Sequence, residues 1–116
     1  AKATGLKTAN VKNKAGKFVA PTLGNATAAL DGITVNPDLS YDPLWADGAD
    51  AYPITAPTWI IVYSRQTDQN KAVLLKEFLK YVLTTGQSEA NGVDYAQLPA
   101  DLLKQATAQL DKIVVS

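Results

Sequence analysis

The most apolar run in the chain is TWIIVY, residues 58–63, where both faces of an extended backbone are hydrophobic. Such a run predicts a strand buried between layers, not one with a solvent face. Pro53 and Pro57 precede it, and proline offers no amide hydrogen to a central ladder, so the regular strand is expected to start at Thr58. The stretch AYPITAPTWIIVY, residues 51–63, is therefore the expected core around which the rest packs.

After the polar RQTDQN segment the period changes from extended to helical. Val73, Leu74, Phe78, Leu79 and Val82 recur at near-helical spacing, and Thr67 or Asp68 can cap a helix over 69–84 that Gly86 terminates. One further turn over 87–91, ended by Gly92, and an extended crossing over 93–98 lead to Pro99, which suits the first position of a last helix. Asp101 complements that helix's dipole, and Leu102, Leu103, Ala106, Leu110 and Ile113 form one apolar stripe, which Val114 and Val115 either extend or leave.

Periodicity is weaker before residue 51. Residues 1–5 resemble the end of a helix stopped by Gly5. Residues 6–11 alternate weakly, NKAGK at 13–17 has turn composition, and Phe18, Val19 and Ala20 run into Pro21, predicting a short hairpin or two extended arms. Thr22 can cap a helix of about two turns over 23–30, with Gly32 as its stop. From 33 to 50 the NPD, YDP and DG elements predict a long ordered loop anchored by Ile33, Val35, Leu39, Leu44 and Trp45. Trp45 either plugs that loop into the core or offers a face for stacking a ligand. Strand and helices together suggest α/β layering, yet one strand is not a sheet, so the chain is expected to be short of partners for its own core.

Composition narrows the chemistry. Eleven Lys plus Arg balance eleven Asp plus Glu, so no global field recruits nucleic acid or an anionic membrane. The charges are sorted, however: Lys2, Lys7, Lys12, Lys14 and Lys17 precede Asp31, Asp38, Asp42, Asp47 and Asp50, which is read as two solvated faces, with a basic contact patch as the second option. Neither Cys nor His is present, which removes thiolate chemistry and the usual neutral-pH base. No run approaches the roughly 20 apolar residues of a membrane span, and the start at Ala1 is read as a chain trimmed from something longer. Asp38, Asp42, Asp47 and Asp50 lack the alternate spacing of a calcium loop and sit where turns already account for them. Thr55 and Thr58 flank Pro57, where hydroxyls could meet an anion, though threonine is also ordinary there. No catalytic residue, metal ligand or cofactor is assigned, and an enzyme is not expected.

Four segments carry a resemblance: AGKFVAPT at 15–22, AYPIT at 51–55, FLKYVLTTGQ at 78–87 and DYAQLP at 94–99. In this order and spacing the chain resembles the C-terminal third of the phosphate-binding proteins of high-affinity phosphate ABC transporters. The resemblance implies an incomplete part of a two-lobed α/β fold of the periplasmic-binding-protein-like type II kind. Residues 1–50 would then belong to the second lobe, 51–63 would cross back as hinge and core strand, and 64–116 would be the helical C-terminal portion of the first lobe. It implies a scaffold and hinge role in a protein that captures inorganic phosphate for a membrane permease, periplasmic or extracellular, with a lipid anchor on a missing N-terminus as one form. The family holds its anion with hydroxyls, amides at helix N-termini, an Arg and an Asp. Those motifs lie upstream, Arg65 is not equated with the ligand Arg, and no phosphate ligand is assigned to this chain. A complementing chain or a domain-swapped copy is expected to cover the exposed core. The alternative is a structural or protein-interaction domain with no small-molecule ligand.

Overall fold

A computed structural model describes residues 4–116. The helix end expected over 1–5 falls mostly outside them, as does Lys2. Helices and two small sheets make the chain mixed α/β, divided into two compact units, one ending at Pro57 and the other running from Thr58 to Ser116.

In the first unit, β1 (Val11–Lys12) and β2 (Phe18–Val19) form an antiparallel hairpin with Val11 opposite Val19 and Lys12 opposite Phe18. Of the two sequence options the hairpin is adopted, because the Asn13 and Lys17 backbones close the turn at 2.8 Å. Gly16 takes a left-handed φ of 82°, a conformation glycine reaches without a Cβ penalty. Helix α1 (Leu23–Ala28) is capped as expected, the Thr22 hydroxyl oxygen accepting from the Asn25 amide at 3.2 Å. It stops short of residue 30 because the Leu30 amide bonds the Thr27 carbonyl at 2.9 Å, the tighter i−3 pattern of a frayed end. Ala29, Leu30, Val19 and Ala51 are buried together with one polar residue, Asn13. The loop over 33–50 carries no helix or strand, as its turn residues predicted.

In the second unit, α2 (Gln69–Leu83) starts at Asp68, whose carboxylate accepts the Lys71 amide at 3.1 Å. Its inward face is Ala72 and Leu79, whereas Val73, Leu74 and Phe78 are exposed, so the expected stripe is rotated. The helix does not end at Gly86. It breaks at Thr84, whose backbone leaves the helical region (φ −120°, ψ −100°), and Gly86 lies inside α3 (Thr85–Gly92). The left-handed residue beyond α3 is Asp94, at φ 69°. Pro99 occupies the cap position of α4 (Ala100–Gln109), one residue earlier than expected. A 3-10 turn over Leu110–Lys112 and buried Ile113 follow. Val114 and Val115 then leave the stripe as β4 (Val114–Val115), which pairs in parallel with β3 (Arg65–Gln66).

The buried strand over 58–63 does not form. Those residues join no ladder, and Ile61 and Tyr63 are 93% and 87% exposed. The reason is pairing: an apolar run becomes a strand only when neighbours accept and donate its ladder bonds, and the short parallel pair begins only at Arg65.

Candidate functional site

The residues that sequence reasoning singled out are mostly engaged in holding the first unit's loops. Asp38 accepts the Ser40 hydroxyl at 2.7 Å and the Ser40 amide at 2.9 Å, and these bonds, the hydroxyl foremost, hold its pKa below the ordinary 3.8. Asp42 accepts the Leu44 amide at 2.9 Å, a second Asx turn of the kind short acidic side chains favour. Asp47 pairs with Lys14 at 2.9 Å and Asp50 with Lys17. Two of the sorted lysines, at the hairpin turn, thus meet two of the sorted aspartates, at the end of the long loop, with all four side chains still exposed to solvent. Among the described residues no group of three or more acidic, His or Cys side chains is placed to hold a metal.

Trp45 is not the core plug. It is 53% exposed, sits at a left-handed φ of 55°, and is fixed through its backbone, the amide donating to the Pro53 carbonyl at 3.0 Å. Its indole lines an open cleft of about 640 Å³ within the first unit, with Tyr41, Ser40, Asp42, Lys14 and Asp47 on the other sides. Burial raises the Tyr41 phenol pKa. Lys14, the one cation in its lining, is paired with Asp47, and Asp31 and Asp42 line it as well, so among the described residues no unopposed positive charge faces it to hold an anion.

The threonines at the start of the apolar run differ. The Thr55 hydroxyl donates to the Tyr52 carbonyl at 2.8 Å, closing a local turn, and Thr58 is exposed. Arg65 is exposed in β3, beside Val114. Among the described residues no convergent set of hydroxyls, amides, Arg and Asp arises within either unit.

What sequence reasoning missed is Asn13. It is 2% exposed, its Nδ2 lies 3.2, 3.0 and 3.2 Å from the carbonyl oxygens of Gly48, Ala49 and Ala51, and its Oδ1 accepts the Lys17 amide at 3.0 Å. Asparagine in NKAGK has an ordinary turn explanation, and the partners are 35 to 38 residues away, so nothing local marked it. In the sequence Gln87 stands out only as the end of the FLKYVLTTGQ motif and the start of the turn over 87–91. Its Nε2 donates to the Val82 carbonyl and its Oε1 accepts the Leu98 amide, both at 3.0 Å, so it joins the FLKYVLTTGQ and DYAQLP segments.

No family model matches the chain. It is similar to the phosphate-binding protein PstS of Methanocaldococcus jannaschii, 37% identical over 112 residues covering 85% of this chain and 29% of that protein. It is similar also to those of Xylella fastidiosa (33% over 102 residues, 84% and 28%) and Haemophilus influenzae (28% over 113 residues, 94% and 33%). The chain spans a third or less of the length of these relatives.

Proposed function

Over most of its length the chain is kin to a stretch of the phosphate-binding proteins, and on that premise we propose that it is scaffold and hinge in an extracytoplasmic protein that captures inorganic phosphate. That protein closes two lobes on the anion and hands it to the membrane permease of an ABC transporter, with no chemical step. Residues 1–50 belong to the second lobe, 51–63 to the crossing, and 64–116 to the first lobe. The phosphate ligands come from the rest of the protein.

The observation that carries this reading is the similarity over 112 residues to a protein named for phosphate binding. The second unit's surface supports it physically. Trp59, Ile60, Ile61, Tyr63, Leu74 and Phe78 are all exposed there, a large share of the unit's big apolar side chains left in water. A parallel pair of two-residue strands is likewise a fragment of the multi-stranded, helix-covered sheets in which parallel strands occur. A complementing chain or a swapped copy supplies the missing layer.

Isothermal titration of the complete protein tests the reading. Phosphate is expected to bind and sulfate or sugars are not; binding of a sugar with indifference to phosphate sinks the assignment. The 116-residue chain by itself is expected to show no submicromolar phosphate binding, because among the described residues no anion-coordinating set converges within either unit.

A further inference from the structure

Asn13 ties the β1–β2 hairpin to the far end of the long loop. Its carboxamide orientation is fixed from both sides, since Oδ1 takes the Lys17 amide while Nδ2 faces three carbonyls of residues 48–51. With two hydrogens shared among three acceptors, the side chain saturates that turn. Around it, Gly48 bends the loop at φ 127°, and Lys14 and Lys17 pair with Asp47 and Asp50. The chain that leaves this clamp stays bonded to its own unit: the Tyr52 amide donates to the Asn25 carbonyl at 2.9 Å, the Pro53 carbonyl accepts the Trp45 amide, and Ala51 and Pro53 are buried. Thr55 is bonded back to Tyr52, and the compact unit ends at Pro57.

We propose that Asn13 is a positioning residue that holds residues 48–53 rigid with the hairpin, so that the crossing bends only from residue 56 onward. The inference rests on the two-lobe reading only in treating 51–63 as the crossing. It removes residues 51–55 from the flexible part of that crossing, which then starts beside Pro57, whose ring allows rotation about ψ and not φ.

Backbone order parameters and amide exchange, measured by NMR on the 116-residue chain, test this. In the wild type, Ala51 and Tyr52 are expected to be as ordered as α1, with order falling at Ala56 and Thr58. In Asn13→Asp, which keeps an acceptor for Lys17 but sets a carboxylate against carbonyl oxygens, the Ala51 and Tyr52 amides should exchange about tenfold faster or more. The Ala26 amide, bonded to the Thr22 carbonyl, should keep its protection. Asn13→Ala should loosen the same amides. Ala51 and Tyr52 as mobile as Thr58 in the wild type, unchanged exchange in both variants, or equal loss through α1 would each overturn the proposal, the last by making Asn13 a general stabiliser. None of these readings involves phosphate, so a parent protein indifferent to phosphate would remove the transport assignment and leave this result standing.

Discussion

Two side chains of similar chemistry on α2 should respond very differently to truncation, because only one faces the interior. Leu79 is 8% exposed and Phe78 is 55% exposed. Leu79→Ala is expected to lower stability by about 2–4 kcal/mol, the range for a buried leucine, whereas Phe78→Ala should cost less than about 1 kcal/mol in this chain. Chemical denaturation followed by circular dichroism checks both, and equal losses would mean the inward face is misassigned. Asp38 gives a pH signature instead. Its folded-state pKa lies below the ordinary 3.8, so what it contributes to the 36–40 turn is complete above that value and disappears as the pH falls through the lowered one. NMR titration should find the Asp38 carboxyl still ionised where free aspartate is half protonated, and Ser40→Ala should bring its midpoint back up. A midpoint that Ser40→Ala leaves unmoved would refute the assigned cause.

Between elements, Gln87 joins the α2–α3 corner to the approach of α4. Gln87→Ala leaves the Val82 carbonyl and the Leu98 amide without their partner, and is expected to destabilise by about 1–3 kcal/mol, whereas Ser88→Ala, on the exposed side, should be within about 0.5 kcal/mol. Comparable midpoints for the two variants would remove Gln87 from this role. The contact also explains what was legible in the sequence. Helices α1, α2 and α4 and the hairpin follow from caps, turn residues and period, all of which act within a few residues. The loop over 33–50 was readable for the same reason. Asn13 and Gln87 were not readable as staples, because their partners are fixed by folding and not by spacing. The rotation of the α2 stripe has a related origin: Val73, Leu74, Phe78, Leu79 and Val82 are too many apolar positions for one face, and periodicity cannot say which face finds a neighbour.

At the scale of the molecule, the segment over 58–63 carries the clearest disagreement between hydrophobicity and environment. Its composition asks for a buried strand, yet Ile61 is 93% exposed. In this chain Ile61→Asp should therefore change stability by no more than about 0.5 kcal/mol, where a truly buried site would be wrecked by an unpaired charge. The same substitution should act strongly on association. Exposed Trp59, Ile60, Ile61, Tyr63, Leu74 and Phe78 predict that the chain binds hydrophobic dyes and self-associates at micromolar to millimolar concentrations. Sedimentation velocity across a dilution series should show the wild type growing in size with concentration, and Ile61→Asp remaining smaller at each step. In the complete phosphate-binding protein proposed above the outcome reverses, since the added strands bury residue 61 and the aspartate then disrupts folding. A wild-type chain that stays monomeric and ignores the dye, or an Ile61→Asp variant that folds normally in the complete protein, would show that the apolar run needs no covering layer.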